Sequence, residues 1–261
     1  MRVLITAGST SVKIDQVRTI SNIFKGRTGA AIADYFAKQG VRVTLVTSDP
    51  TSICKPNLES VFYKYYHELA NILAADITNI RYDAIIHSAA VSDYKVEGVY
   101  YQDMLLGKLF EFLSSYRSCL ADGNLGEAKD YFELLCVVHD NLEITRKGNP
   151  LRKLDSSKKV PSQYKELFLK MTQTDKLIDK IRNLWSFKGK LVKFKLQVGL
   201  EDSELIEIAK KSREHSDADY IVANCLEWFA EKAYVIGADF CNSVLRDTLP
   251  ETLYKLLIIG E

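Results

Sequence analysis

The sequence lacks the features that would place it in a membrane or an oxidising compartment. No apolar run is long enough to span a bilayer. The first residues have the pattern of a strand rather than of a secretory leader. The five cysteines are scattered without a C-x-x-C pair, and the four histidines lack metal-ligand spacing. A disulfide framework and a zinc site are therefore not expected, and we predict a cytoplasmic protein.

An excess of charge of either sign is also missing. The 35 basic and 34 acidic residues leave a net charge of +1, whereas proteins that bind nucleic acid usually carry a strongly basic surface. We expect neither a nucleic acid nor a membrane as partner. Small anionic ligands stay compatible with this composition, because local charge can differ greatly from the total.

What the sequence does contain is an alternation of strand and helix patterns. In the first hundred residues the predicted elements are a strand at 3–5, a helix at 28–39, a strand at 41–48, a helix at 67–80 and a strand at 82–90. Such alternation implies right-handed crossovers and a parallel sheet. It predicts the α/β class, with a Rossmann-like three-layer α/β/α fold and a largely parallel sheet.

The middle of the chain has a different pattern. Residues 101–120 and 125–138 each show helical spacing of apolar residues, which predicts a helical hairpin. Residues 145–163 are rich in Lys, Arg, Ser, Gly and Pro, and predict a flexible loop. Beyond them we predict helices at 175–185, 203–212 and 249–257, strands at 190–198 and 219–225, and an edge strand at 232–237. One domain over 1–261, with an insertion at 101–150, explains this order better than two consecutive domains.

The segment after the first strand is a candidate phosphate-binding turn. It is neither a Walker loop nor the G-x-G-x-x-G dinucleotide turn, because its glycines are Gly8, Gly26 and Gly29. The small residues Gly8, Ser9 and Thr10 would let a backbone approach a phosphate closely, and the helix start near Gly26 offers amide groups to an anion. A turn shaped only by packing explains the same residues equally well.

Three sequence blocks carry a resemblance to a known family. "TAGSTSVKIDQVRTISNIFKGRTG" (6–29) is similar to the N-terminal signature of the phosphopantothenate–cysteine ligases. "HSAAVSDY" (87–94) resembles their second motif. "KFKLQV" (193–198), followed by "EIAKKSREHSDADYIVAN" (207–224), resembles their third. The blocks occur in the family's order, and the chain looks most similar to the short, single-function bacterial form.

The resemblance implies a reaction in coenzyme A biosynthesis. Such a ligase joins 4'-phosphopantothenate to L-cysteine through an acyl-nucleotide intermediate, and releases a nucleoside monophosphate and pyrophosphate. We expect CTP rather than ATP as the nucleotide and Mg²⁺ as the cofactor, with neither flavin nor NAD. The resemblance also implies a homodimer in which residues 101–150 form the dimerisation arm.

The resemblance assigns catalytic and substrate-binding roles to a few residues. Asn22 is expected to handle the acyl intermediate, Arg18 to bind a phosphate or carboxylate, and Gly26 to contact the substrate. Lys153 is expected in a loop that closes over the nucleotide. Alternatives remain for each: Asn22 as a turn residue, Arg18 as the partner of Asp15, and Lys153 as one of several solvated basic residues.

A second set is implied to bind the nucleotide. Its members are small residues at strand ends, one acid, one aromatic and one lysine: Gly8, Ser9, Thr10, Ala89, Ala90, Asp93, Phe194 and Lys211. The alternatives are tight packing for the small residues, a core position for the aromatic residue and a solvated helix face for the lysine. No residue is assigned as a metal ligand.

Several positions depart from the family pattern. Ser9 replaces a glycine, Lys193 replaces a glycine and Cys225 replaces an aspartate. Before Gly26, the segment containing Phe24 and Lys25 loses a serine hydroxyl, although the charge of Lys25 could preserve affinity for phosphate. These departures leave open a non-catalytic or regulatory nucleotide-binding paralogue. A NAD(P)-dependent reductase would rest on the fold alone.

Overall fold

The computed structural model describes residues 1–51, 56–102 and 151–260. The chain divides into two compact units. The first comprises Met1–Val12, Ile20–Tyr94 and Gln173–Glu261, and the second comprises Lys13–Thr19 and Lys95–Thr172. The predicted helical hairpin lies outside the described residues, apart from Tyr101 and Gln102, which belong to a strand.

The first unit is built on an eight-stranded sheet. In sheet order its strands are β13 (Cys241–Leu245), β12 (Lys232–Ile236), β11 (Tyr220–Cys225), β10 (Lys190–Gln197), β6 (Ala84–His87), β1 (Arg2–Ala7), β4 (Arg42–Thr47) and β5 (Leu58–Phe62). The pairs from β11 to β5 are parallel, while β12 and β13 are antiparallel additions at one side.

Helices cover both faces of this sheet. They are α1 (Arg27–Lys38), α2 (Tyr66–Asn79), α3 (Leu177–Asn183), α4 (Asp202–His215) and α5 (Leu249–Tyr254), which continues as a π-helical segment at Lys255–Ile259. Successive residues of β1 point to opposite faces: Val3 and Ile5 pack in a core with α1 and α5, and Leu4 packs in another with α2 and α3. Because both faces are covered, the central strands are buried almost throughout. The predicted Rossmann-like three-layer fold is confirmed.

The second unit contains a three-stranded sheet in the order β8–β7–β9. Its strands are β7 (Tyr94–Gln102), β8 (Leu151–Leu154) and β9 (Phe168–Gln173). The prediction of a loop at 145–163 is wrong for Leu151–Leu154, because pairing with β7 supplies an ordered partner that composition cannot reveal. Two further short strands, β2 (Ser11–Lys13) and β3 (Thr19–Ser21), pair with each other.

The prediction of β12 as an edge strand is also wrong. β13 pairs on its outer side and is itself the edge of the sheet. Sequence patterns missed β13 because it is largely exposed and its residues do not alternate between apolar and polar. Among the described residues, no helix is long and apolar enough to cross a membrane.

Candidate functional site

The turn after β1 is held by two glycines in close contact. Gly8 and Gly26 have φ angles of +87° and +84°, which residues with a side chain rarely adopt. A Cβ atom on Gly26 would lie 2.2 Å from the amide nitrogen of Gly8. On Gly8 it would lie 2.1 Å from the Ser48 hydroxyl oxygen. Glycine at position 26 thus lets the start of α1 pack directly on the end of β1, and glycine at position 8 leaves room for Ser48.

The first turn of α1 is open to an anion. Its N-cap residue is Gly26, no described side chain caps it, and no acidic residue lies in the first turn. Helices α2 and α4, by contrast, begin with capping boxes that use Glu68 and Glu204. The unsatisfied amide groups and the dipole of a helix favour an anion at such an end. The start of α1 thus has the uncapped end that the predicted anion seat near Gly26 requires, and the binding of an anion there stays a prediction.

The second motif is hydrogen-bonded to the first. The Ala90 amide donates to the Gly8 carbonyl at 2.8 Å, and the Thr10 amide donates to the Ala90 carbonyl at 3.2 Å. The Ala89 amide donates to the Thr6 hydroxyl at 3.1 Å. Since the amides of Ala89 and Ala90 are used within the fold, the structure favours the packing alternative for these two groups.

Thr10 and Asp93 occupy different environments. Thr10 is fully buried, and its hydroxyl donates to the Ser92 hydroxyl at 3.0 Å and accepts from the Ser92 amide at 2.8 Å. It therefore fixes the two motifs to each other. Asp93 is exposed, and its carbonyl accepts from the Thr174 amide at 2.9 Å. The Asp93 carboxylate is accessible for the predicted contact with a nucleotide.

Asn22 lies where the two motifs meet. Its Nδ2 donates to the Ala90 carbonyl at 3.2 Å, and its own carbonyl accepts from the Ser9 hydroxyl at 3.4 Å. The side chain is exposed and lines a cavity of about 1010 Å³. The structure thus brings Asn22 and Ser9, predicted for different ligands, to one site.

This cavity lies at the carboxyl ends of β1, β4 and β5. Hydroxyl, amide, charged and apolar side chains line it: Ser9, Ser11, Ser21, Asn22, Lys25, Ser48, Asp49, Pro50, Thr51, Phe62, Tyr63, Lys64, Glu68, Asn71 and Ile72. In parallel α/β sheets, ligands bind beyond this edge. Its volume is at the upper end of the range for small-molecule sites, so we take it as the candidate functional site.

The two acids of the cavity are hydrogen-bonded to neighbouring groups. Asp49 Oδ1 accepts from the Thr51 hydroxyl at 2.7 Å and from its amide at 2.9 Å, and these bonds lower the pKa of Asp49. Glu68 Oε2 accepts from the amides of Lys64 at 2.7 Å and Tyr65 at 3.0 Å. Both carboxylates therefore help to shape the cavity wall.

Arg18 and Lys153 belong to the second unit. Arg18 Nη2 lies 2.5 Å from Asp15 Oδ2 and donates to the Val160 carbonyl at 2.8 Å. Asp15 is buried, and the Arg18 guanidinium holds the pKa of its carboxyl well below the usual range. The structure thus matches the alternative in which Arg18 and Asp15 shape a loop. Lys153 is exposed in β8, opposite Tyr100.

Phe194 and Lys211 are placed away from the cavity. Phe194 is partly buried in β10 and packs against the core with α1 and α5, as its alternative interpretation expects. Lys211 is exposed on α4, nine residues after its first residue Asp202. Since α4 begins beyond the carboxyl end of β10 and runs back along the sheet, Lys211 lies about 13 Å down its axis. That position does not support a phosphate contact at the carboxyl edge.

Sequence reasoning missed part of the cavity. Ser48 and Asp49 follow β4 directly, so the rule that ligands bind at strand carboxyl ends would have indicated them. Lys64 follows β5, a strand that was not predicted, and no pattern pointed to it.

Sequence reasoning also missed a row of buried polar side chains on three neighbouring strands of the sheet. Thr6, His87 and Lys193 are register neighbours on β1, β6 and β10. Lys193 Nζ donates to the Ser216 hydroxyl at 2.6 Å and to the Ser212 carbonyl at 2.9 Å. Burial lowers the pKa of Lys193 to about 8 and that of His87 to about 4. Through these two hydrogen bonds Lys193, at a position where the resemblance implied glycine, joins β10 to the end of α4.

Fold and cavity together define a Rossmann-like α/β protein with a candidate small-molecule site at the carboxyl edge of its sheet. Comparison with known proteins refines this class. Residues 1–105 match the family model of the DNA/pantothenate metabolism flavoprotein C-terminal domain. The bifunctional coenzyme A biosynthesis protein CoaBC of Thermococcus kodakarensis is 26% identical over 260 residues, which cover 98% of this chain and 49% of that protein.

Two further proteins are similar over most of the chain. Phosphopantothenate–cysteine ligase 1 of Oryza sativa subsp. japonica is 24% identical over 239 residues, covering 89% of this chain and 70% of that protein. The crystal structure of the DNA/pantothenate metabolism flavoprotein from Streptococcus pneumoniae has a TM-score of 0.74 at 24% identity, with full coverage of both chains. The comparisons confirm the resemblance to phosphopantothenate–cysteine ligases, although the chain spans only about half the length of the Thermococcus relative.

Proposed function

We propose that this protein is a phosphopantothenate–cysteine ligase of coenzyme A biosynthesis. The observation that carries the proposal is the position of Asn22, which is hydrogen-bonded to the second motif and faces a cavity at the carboxyl edge of the sheet. The similarity to a plant phosphopantothenate–cysteine ligase and to CoaBC supports the same reaction.

The proposed reaction has two steps. The carboxylate of phosphopantothenate attacks the α-phosphate of CTP, forms an acyl-nucleotide and releases pyrophosphate. The amine of cysteine then attacks the acyl carbon and displaces CMP. Negative charge develops on the acyl oxygen in the second step, and a positioned donor stabilises it. Asn22 supplies such a donor without changing its own protonation state.

The nucleotide phosphates are proposed to bind at the β1–α1 turn. Gly8 and Ser9 allow close approach of the backbone, and the open first turn of α1 after Gly26 offers amide donors. Thr10 acts by holding the two motifs together. Asp93, which is exposed, is proposed to contact the nucleotide outside this turn.

Mg²⁺ is proposed to enter with the nucleotide. Within the described ranges, no group of three or more His, Cys, Asp or Glu side chains could hold a metal ion. Mg²⁺ commonly binds through substrate phosphates, water and only one or two protein carboxylates. Asp49 is the residue we propose for the carboxylate contact. When bound, the ion neutralises phosphate charge.

The proposal also covers the oligomeric state, the cellular location and the preferred nucleotide. We propose a cytoplasmic homodimer that uses residues 101–150 at its interface, with CTP preferred over ATP. We further propose that Arg18 takes part in binding a phosphate or carboxylate and that Lys153 closes over the nucleotide. The pairing of Arg18 with Asp15 favours an indirect role for Arg18.

A steady-state assay tests the function. The protein is incubated with 4'-phosphopantothenate, Mg²⁺ and either CTP or ATP, with and without cysteine, and pyrophosphate and phosphopantothenoylcysteine are measured. The proposal predicts a cysteine-dependent product with at least one nucleotide. Absence of product with both would reject it.

A second candidate is a non-catalytic nucleotide-binding protein on the same scaffold. The observation that favours it is the loss of a family hydroxyl at Phe24, whose ring packs instead on Phe229 with centroids 5.4 Å apart. This candidate predicts nucleotide binding without product in the same assay.

A further inference from the structure

We infer that Lys25 binds a phosphate group of the ligand in the cavity, in place of the serine hydroxyl that the related motif supplies. The inference rests on the proposed function for the identity of the ligands. The phosphate belongs either to the nucleoside triphosphate or to the phosphate monoester of the second substrate, and the experiment below separates these sources.

The local structure explains why the phosphate contact moves to Lys25. The residue before it, Phe24, packs edge-to-face on Phe229. The position that carries a hydroxyl in the related motif is therefore occupied here by an aromatic ring in an apolar contact. Lys25 lies between Phe24 and Gly26, and Gly26 has a left-handed backbone conformation and is the N-cap residue of α1. The chain therefore presents the side chain of Lys25 to the cavity rather than to the core.

The charge of Lys25 is not cancelled by an ion pair with the cavity acids. Asp49 and Glu68 accept hydrogen bonds from Thr51 and from the amides of Lys64 and Tyr65. Among the described residues, neither Lys25 nor Lys64 has a carboxylate oxygen within ion-pair distance. Lys25 acts on Asp49 only through space, where its charge helps to lower the pKa of that carboxyl, and the Lys64 ammonium lies 5.5 Å from the centroid of the Tyr65 ring. The cavity thus holds two ammonium groups without a direct ion pair, which a phosphate would complement.

Neutral polar side chains line the same cavity as Lys25. Ser9, Ser48 and Asn22 line the same cavity, and the Ser48 hydroxyl accepts from the Ser9 amide at 2.9 Å. An ammonium group with nearby hydroxyl and amide donors is a suitable environment for phosphate, because hydrogen bonds between charged groups are the stronger ones.

The remaining wall of the cavity indicates an organic phosphate. Phe62 is half exposed, and Ile72 and Pro50 line the cavity beside it. The volume of about 1010 Å³ exceeds what inorganic phosphate alone would fill. A phosphate ester could place its charged end near Lys25 and its organic part against these apolar residues.

Calorimetric titration of the protein tests the inference without requiring turnover. The variants are Lys25→Met, Lys25→Arg and, as a matched control, Lys188→Met, because Lys188 is exposed in the same unit and does not line the cavity. The ligands are CTP, ATP, 4'-phosphopantothenate and pantothenate, which lacks the phosphate. Thermal unfolding verifies that each variant is folded.

We expect Lys25→Met to weaken the binding of at least one phosphate-bearing ligand about tenfold. The affinities of Lys25→Arg and Lys188→Met should be close to that of wild type. Pantothenate binding should not change. Weaker binding of CTP and ATP alone would assign the contact to the triphosphate, and weaker binding of 4'-phosphopantothenate alone would assign it to the monoester. Equal affinity of Lys25→Met and wild type for all three phosphate-bearing ligands would overturn the inference. Lys25-dependent binding without ligation would instead reject the proposed function and keep the phosphate contact.

Discussion

Gly26 packs backbone to backbone on Gly8, so that the first turn of α1 rests on the end of β1. A Cβ atom at Gly26 would lie 2.2 Å from the Gly8 amide nitrogen and 2.7 Å from its Cα atom. This contact positions the open helix start, the Ser9 hydroxyl and Asn22 around one edge of the sheet. The candidate site therefore depends on two residues that contribute no side chain.

The contact predicts a large effect of Gly26→Ala. The left-handed backbone and the clash with Gly8 should together cost about 2 kcal/mol or more of unfolding free energy. Gly40→Ala is the matched control, because Gly40 has a φ of +82° but no atom within 4 Å of an added Cβ. Gly40→Ala should lower the free energy of unfolding only by the backbone strain, about 1 kcal/mol. Denaturant unfolding of both variants measures the difference, and equal losses would show that the clash is relieved.

Asn22→Asp should stop the second half of the reaction. The substitution keeps the size of the side chain but replaces its amide donor with a carboxylate, which repels the developing charge on the acyl oxygen. We expect cysteine-dependent product formation to fall by about 100-fold or more. The variant loses the hydrogen bond to the Ala90 carbonyl, but because Asn22 is exposed the melting temperature should fall only slightly. Normal turnover in this variant would remove Asn22 from the proposed mechanism.

The ion pair of Asp15 and Arg18 predicts a pH dependence of stability. The folded pKa of Asp15 is lowered, so this carboxylate stabilises the fold above its unfolded pKa of about 3.9. The contribution is lost as pH falls from that value through the folded pKa. Asp15→Asn should therefore be less stable than wild type near neutral pH, with the gap closing in acid. Thermal unfolding from about pH 7 down to about pH 2, a range that extends well below the unfolded pKa of aspartate, measures this gap. A gap that stays constant would contradict the assignment.

Lys193 predicts a trend in the alkaline range. Burial lowers its pKa to about 8, whereas an unfolded lysine titrates near pH 10.4. Between these values the unfolded state binds more protons, so the stability contributed by this residue should rise with pH. Wild type should gain stability relative to Lys193→Met from about pH 8 to about pH 10. Parallel stability curves for the two proteins would show that Lys193 titrates normally.

The sequence predicted the layered fold well because its helices and central strands have strong periodic patterns. β1 and β11 are mostly apolar and almost entirely buried, and α1 begins and ends near the glycines that the pattern indicated. β13 and β8 were missed because their stability comes from pairing with a neighbouring strand, which leaves no pattern of burial in either sequence.

The candidate site was predicted only in part. The motif residues Ser9 and Asn22 were found through their resemblance to a family. Ser48 and Lys64 were not, because tertiary structure alone brings the ends of β4 and β5 to the same cavity. Thr10 and the amides of Ala89 and Ala90, predicted for ligand binding, form hydrogen bonds that join the two motifs.

The central claim is that the carboxylate of phosphopantothenate attacks the α-phosphate of a nucleotide. The most direct measurement uses 4'-phosphopantothenate with heavy oxygen in its carboxylate, together with cysteine, Mg²⁺ and CTP or ATP. Mass spectrometry of the released nucleoside monophosphate should then find one heavy oxygen atom per molecule, transferred when the acyl-nucleotide is cleaved. Phosphopantothenoylcysteine formed without heavy oxygen in the nucleoside monophosphate, or no product at all, would contradict the account.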